Sequence, residues 1–238
     1  MDSIRRIYNY YFSKDKDLAR KLYSTLGFVP AHLKLFKLAF YHRSMNQDED
    51  NGYYNNERLE FLGDSVLSTL VAEYLFKKYP HKDEGFLTKM RSKIVKRSTL
   101  NEIAENMELD LILSDYSIGK MSSSMLGNAL EALVGAIYIE FGFEKTYKYV
   151  VHNILMKYLD IIELENQEDN YKSALLEYCQ KHNREINFKV LSKSKFDKRD
   201  YFNVAVYIDG DEVAFGADFS KKSAEQKAAN LALGALNI

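Results

Sequence analysis

The spacing of apolar and polar positions divides the chain into two parts. Up to about residue 162, apolar side chains recur at intervals of three and four, the period of helices with one buried face. The pattern predicts helices over "HLKLFKLAFYH" (32–42), "NNERLEFLGDSVLSTLVAEYLF" (55–76), "FLTKMRSKIVKRSTLNEIAENM" (86–107), "SSMLGNALEALVGAIYIEFG" (123–142) and "EKTYKYVVHNILMKYLDII" (144–162). Ser98 is a predicted N-cap for "TLNEIAENM", supported by Thr99 and Glu102. The period stops at "ELENQEDN" (163–170), which is acidic and polar and reads as a linker.

Beyond it the period shortens. One helix, "YKSALLEYCQKHN", precedes the strand-like runs "INFKVLSKS", "DYFNVAVYID" and "EVAFGADFS", and "SKKSAEQKAANLALGAL" closes the chain as a helix. The Asp-Gly pair within "IDGDEV" is a hairpin signal between the last two strands. The expected organisation is an all-α domain over 1–162, a linker over 163–170, and an α+β domain over 171–238 in the order α-β-β-β-α.

Composition narrows the partners. The 238 residues carry a formal charge of -1, so a nucleic acid has to be met by local basic patches rather than by global charge. Hydrophobic content of 46% with 28% charged residues describes a globular chain with a core. Cys179 is the single cysteine, which excludes an internal disulfide and fits a reducing cytoplasm. The charge-interrupted N-terminus has no signal-peptide core, and no apolar run is long enough to span a membrane. A cytoplasmic protein is expected.

Candidate chemistry lies inside an apolar helix. On the helix at 55–76, Glu57 and Asp64 nearly eclipse each other and Glu60 lies about 60° away. Leu59, Leu62, Val66, Leu67 and Leu70 on the remaining surface require a core. A second apolar helix carries Asn128 and Glu131, three residues apart on one face. Buried carboxylates need compensation by cations, either side chains or metal. Facing helices with such pairs build carboxylate metal sites, and oxygen-only ligands select hard ions, Mg²⁺ first and Mn²⁺ second. A solvated helix face for Glu57 and Glu60, with Glu131 a satisfied buried acid, explains the same spacing without metal.

"NERLEFLGDSVL" resembles the signature of the ribonuclease III family. "LAFYHRS" (38–44), "DEGFLTKMRSKIVKRSTL" (83–100) and "EALVGAIYIEFGF" (131–143) resemble further elements of its nuclease domain. "ALLEYCQ" and "SKKSAEQKAANLAL" resemble a double-stranded-RNA-binding domain. The resemblance covers nearly the whole chain, in the bacterial order. It implies the family's all-α nuclease fold and a homodimeric endonuclease that cuts both strands of duplex RNA with Mg²⁺, leaving 5′-phosphate and 3′-hydroxyl ends. Such enzymes act in processing ribosomal RNA precursors and structured messenger RNA. By position, Glu60, Asp64 and Glu131 match metal ligands, with Asp64 and Glu131 catalytic. Glu57 and Glu84 match secondary cleft acids, and Phe61 matches the knob at the dimer interface. The chain departs from the family at Asn128, where an Asp is usual. An amide oxygen still ligates Mg²⁺ but brings no charge. An RNA-binding scaffold without catalysis is the alternative.

For RNA, Lys221 and Lys222 combine two cations with the start of the last helix. By resemblance, Glu177 accepts from a 2′-hydroxyl in the minor groove. "SKSKFDKRD", read as a loop, adds Lys193, Lys195, Lys198 and Arg199 but lacks the Gly-Pro-x-His element frequent there. A solvated face accounts for any one of these cations equally well. Arg91, Lys93, Lys96 and Arg97 form a basic helix segment that RNA or solvent could meet. His42 reads as a hydrogen-bonded core residue, and Cys179 as a small apolar group in the core of the second domain.

Overall fold

The computed structural model describes residues 2–45, 55–119, 122–166, 170–196 and 199–236. Chain contacts divide it into two compact units, 1–165 and 166–238.

The first unit is helical: α1 (Asp2–Tyr11), α2 (Lys16–Leu26), α3 (Leu33–Phe40), α4 (Glu57–Lys78), α5 (Glu84–Ile94), α6 (Arg97–Asn106), α7 (Asp110–Leu113), α8 (Ser123–Phe141) and α9 (Phe143–Tyr149). The last of these continues through a π-helical stretch (Val150–Leu155) into α10 (Met156–Tyr158), and α11 (Ile161–Asn166) follows. α8 is apolar all round and is therefore the central helix. Ala129, Leu130, Ala132, Leu133, Val134, Ala136 and Ile137 are all buried. α4 lays Leu59, Val66, Leu67, Leu70 and Val71 against the same core.

Two glycines set how closely these helices cross. A Cβ on Gly63 would lie 1.7 Å from the Glu131 carbonyl oxygen, and one on Gly135 would lie 2.5 Å from that of Leu59. Backbone meets backbone at this crossing. It brings the acidic turn of α4 beside Asn128 and Glu131 of α8.

Two sequence expectations need correction here. The helix expected over 86–107 is two helices, broken at Val95–Lys96, and the second starts at Arg97 with Lys96 in the N-cap position. Ser98 is therefore inside the helix and is not its cap. The Thr99 hydroxyl instead donates to the Lys93 carbonyl at 2.9 Å, closing the break. The expected linker also begins later than 163. Residues 161–166 are helical, with Ile161 and Leu164 buried in the core of the first unit. Lys93, itself buried, donates to the Leu164 carbonyl at 2.7 Å, and the Tyr79 hydroxyl donates to Glu165 at 2.9 Å. Residues 167–169 of the expected linker lie outside the described residues.

The second unit has α12 (Tyr171–Lys181), β1 (Ile186–Phe196), β2 (Arg199–Ile208), β3 (Asp211–Asp218) and α13 (Lys221–Ala235). The strands form one antiparallel sheet in the order β1-β2-β3. Leu175 and Cys179 of α12 and Ala228, Ala229 and Ala232 of α13 bury one sheet face with Val206 and Ile208. Gly216 permits the close seat of α13 on β3, since its Cβ would lie 2.4 Å from the Ala228 nitrogen. The Asp-Gly hairpin is present: Asp209 and Gly210 have φ of 55° and 91°, the left-handed pair that a two-residue turn of matching twist requires. α+β with helices on one face is thus the architecture of this unit, beside an all-α first unit.

Candidate active site

Glu57, Glu60 and Asp64 of α4 and Asn128 and Glu131 of α8 line one cavity of about 890 Å³, with Phe61 at its edge. Burial is the main force on two of its acids, Glu131 and Glu60. It raises the Glu131 carboxyl to about 7, and the negative charges of Asp64 and Glu60 add to the effect while Arg97 opposes it. Glu60 is also raised, first by burial. Arg97 counters that shift, Glu57 adds to it, and a hydrogen bond from the Asn128 amide lowers it again. These acids feel one another across the α4–α8 crossing, and the chain's own cations offset only part of the charge.

The cations present are specific. The Arg43 guanidinium stands 3.7 Å from Glu57, whose backbone N–H is held by the buried Asn55 side chain at 3.0 Å. Arg97, at the first turn of α6, lines the cavity and lowers both Glu60 and Glu131. His42 lines it too, rather than sitting in the core. Its Nδ1 accepts from the Ser44 N–H at 3.1 Å, and burial followed by Arg43 lowers its pKa, which favours the neutral ring.

The donor set fits a hard divalent cation: carboxylates, and an amide that donates to Glu60 through nitrogen and keeps an oxygen to offer. Among the described residues, no three Asp, Glu, His or Cys side chains are already gathered at metal-holding distance. The acids share the cavity without being gathered there.

Not every predicted acid is here. Glu84 starts α5, accepts from the Thr88 hydroxyl at 2.8 Å, and lines a separate cavity of about 400 Å³ with Phe76 and Arg91. Within one chain it does not join Glu57. Phe61 is 78% exposed, so its ring is not satisfied by its own chain, and with Ile139 and Leu38 it borders a further cavity. The predicted basic segment is split. Lys93 is buried and clasps α11, Arg91 lines the same cavity as Glu84, and Arg97 lines the acidic cavity.

On the second unit, Glu177 is exposed on α12, and Lys221 and Lys222 are exposed in the first turn of α13 behind Ser220, whose hydroxyl accepts from the Ser223 N–H at 3.1 Å. Lys193 and Lys195 belong to strand β1 and not to a loop, and Arg199 opens β2. Lys193 pairs with Asp200 at 2.9 Å. Lys198 lies outside the described residues.

Sequence reasoning missed Gly63, Gly135 and Arg43. The glycines interrupt no apolar period, so only their place beside the acids on facing helices could have signalled a close crossing. Arg43 could have been found as the cation of "YHRS" preceding an acidic helix.

Residues 32–158 match the Ribonuclease-III-like family and 171–236 the Double-stranded RNA binding motif. The chain is 40% identical over 238 residues to Ribonuclease 3 of Zunongwangia profunda, covering 99% of this chain and 98% of that protein. It is 42% identical over 216 residues to Ribonuclease 3 of Flavobacterium psychrophilum, covering 90% and 88%. The nuclease domain of ribonuclease III from Campylobacter jejuni superposes with a TM-score of 0.50 at 34% identity, covering 58% of this chain and 96% of that one. With matches of this extent in both units, the chain belongs to the ribonuclease III family.

Proposed function

We propose that this chain is a Mg²⁺-dependent endoribonuclease, with Mn²⁺ as a substitute, which hydrolyses both strands of duplex RNA as a homodimer. The observation carrying the proposal is the cavity in which burial and mutual repulsion raise Glu60 and Glu131 beside Asp64. Acids held at such cost without full compensation are what a cation site requires.

Divalent cations held here would supply Lewis-acid chemistry, for activating a water and relieving charge on the departing 3′ oxygen. The chain's own part is placement. Glu60, Asp64 and Glu131 would hold the ions, and Asn128 would add a neutral oxygen. Glu57, already paired with Arg43, is a secondary acid that lines the cavity without being a direct ligand. Arg97 brings positive charge to the edge where an RNA phosphate would enter. No nucleophilic side chain is needed, since positioning and electrostatics carry the reaction. The products would be 5′-phosphate and 3′-hydroxyl ends, from ribosomal precursors and structured messengers in the cytoplasm.

Duplex RNA offers phosphates and 2′-hydroxyls rather than readable major-groove edges. Lys221, Lys222, Lys195 and Arg199 would meet the phosphates, Lys198 would add to them, and Glu177 would accept from a 2′-hydroxyl. Phe61 would insert into a second copy, the way its exposure is relieved; Glu84 would act as a secondary acid only in that dimer. The first unit would carry catalysis and dimerisation, and the second would hold the duplex.

The test is incubation with long duplex RNA. Cleavage is expected with Mg²⁺ and is abolished by EDTA, by Glu131→Gln and by Asp64→Asn, while both variants still bind duplex. Asn128 favours a non-catalytic scaffold as the second reading. Intact RNA after incubation of wild-type protein with Mg²⁺ or Mn²⁺ would establish it.

A further inference from the structure

The sheet of the second unit has two faces, and the fold uses one. Side chains alternate along a strand, so the face away from α12 and α13 is set by register. Phe196 pairs with Arg199 at the hairpin end, Ser194 with Tyr201, and Ala205 with Phe215. Phe219 follows β3 and lies 5.1 Å from Tyr201 and 6.2 Å from Phe196, ring centre to ring centre. The Arg199 guanidinium sits 4.1 Å over the Phe219 ring. Lys189 sits 4.6 Å over Tyr207 farther along the same face.

These rings are poorly covered. Phe196 is 64% exposed and Phe215 60%, although both stand on ordered strands of a sheet with a well-packed opposite face. Small residues, Ala205 and Ala217, separate the rings, and the Asn203 amide donates to the Ser192 hydroxyl at 2.8 Å between them. The acids nearest the aromatic group are neutralised elsewhere: Asp200 by Lys193 and Asp218 by Lys227, each at 2.9 Å. Among the described residues, no carboxylate pairs with Arg199.

We propose that this outer sheet face is a second RNA surface, stacking unpaired nucleotides of a strand that leaves the duplex. Bases inside a duplex are already stacked and present no free ring face; unpaired bases do, and aromatic side chains and guanidinium planes bind them without regard to sequence. Around Phe196, Tyr201 and Phe219 the rings are spaced by small, hydroxyl and amide residues with Arg199 beside them, which matches that chemistry; the Glu212 carboxylate lies farther along the face, accepting from the Tyr207 hydroxyl at 2.8 Å. Aromatic residues and Arg also mark protein interfaces, so a second copy on this face is an outcome the experiment separates. The duplex held by the same unit brings its own single-stranded flank to this face at high effective concentration. The inference rests on the duplex-RNA reading of the second unit. It adds a preference for duplexes that end in, or are interrupted by, unpaired nucleotides.

The experiment uses the full chain in EDTA and two labelled RNAs, a blunt duplex of about 25 base pairs and the same duplex with a 3′ tail of roughly ten nucleotides. The tailed RNA is expected to bind about tenfold tighter, and 2-aminopurine in the tail to be quenched on binding. Phe215→Ala and Phe196→Ala should each reduce that advantage, with the blunt affinity unchanged within about twofold, and Phe215→Trp should keep it. Equal affinity of the wild type for both RNAs overturns the proposal. So does retention of the preference by Phe215→Leu, which keeps bulk without a ring, or loss of blunt binding by either alanine variant, which would make the rings a brace. Self-association beyond a dimer that Phe215→Ala abolishes would assign the face to a second copy and overturn it too. Failure of the wild type to bind blunt duplex at all would refute the underlying RNA reading, a distinct result.

Discussion

Gly63→Ala tests whether the helix crossing builds the active site. The added methyl would sit 1.7 Å from the Glu131 carbonyl oxygen and 2.5 Å from its carbon, against backbone that has no rotamer to change. Restoring an ordinary contact of about 3.5 Å requires α4 and α8 to separate by roughly 1.5 Å locally. Overpacking costs about 1–3 kcal/mol, and a backbone clash belongs at or above the upper end. Replacing glycine in a helix returns about 1 kcal/mol. The net loss is then about 2 kcal/mol, or a fall of roughly 4–8 °C in the melting temperature of a unit this size. Activity should suffer more than stability. A displacement of about 1 Å between Glu60 or Asp64 and Glu131 costs on the order of a hundredfold in turnover. The assays are thermal unfolding followed by circular dichroism and single-turnover cleavage of duplex RNA at saturating Mg²⁺. Gly85→Ala is the control: it is helical, its Cβ meets nothing nearer than Asp83 Oδ1 at 3.6 Å, and stability should rise by about 0.4–1 kcal/mol with cleavage unchanged. A Gly63→Ala protein with wild-type melting and wild-type turnover would refute the reasoning.

Three further outcomes follow from the same geometry. Asn128→Asp adds a carboxylate beside Glu60 and removes the amide hydrogen bond that lowers it; half-saturating Mg²⁺ in the cleavage assay should fall by about tenfold, and metal-free melting should drop. Glu131 is raised to about 7 from an ordinary 4.5, so the metal-free fold binds that proton more tightly than the unfolded chain does. Its contribution is fully present below about 4.5 and is lost as pH rises through about 7. Metal-free melting should therefore decline across that window and Mg²⁺ affinity should rise, both trends flattening in Glu131→Gln. Phe61→Ala should weaken dimerisation by roughly thirtyfold in sedimentation equilibrium while leaving the melting of the monomeric fold almost untouched, because the ring is exposed within its own chain.

The sequence made the acids legible because carboxylates inside an apolar period are conspicuous, and spacing alone fixed which of them share a face. The Asp-Gly turn was equally readable, since few residue pairs tolerate two left-handed conformations. Other features were hidden for physical reasons. The break at Val95–Lys96 interrupts no apolar period, and the Thr99 hydroxyl bond that closes it is invisible in one dimension. The second half of α11 looked like a linker because Leu164 is the only apolar residue in 163–166, and its partners, Lys93 and Tyr79, are distant in the chain. The polar end of β1 looked like a loop because "SKSK" has little strand character of its own, and its pairing with β2 outweighs that. The outer face of the sheet became apparent only through register, which aligns Phe196, Tyr201, Phe215 and Phe219 from three separate segments.

The central claim is that Glu60, Asp64 and Glu131 close on divalent cations. The direct measurement is an anomalous difference map from crystals of the full chain soaked in Mn²⁺. Peaks within ligand distance of all three carboxylates, and absent in Glu131→Gln, are predicted. A cavity in which Arg97 or Arg43 bonds those carboxylates and no peak rises between them would contradict the account.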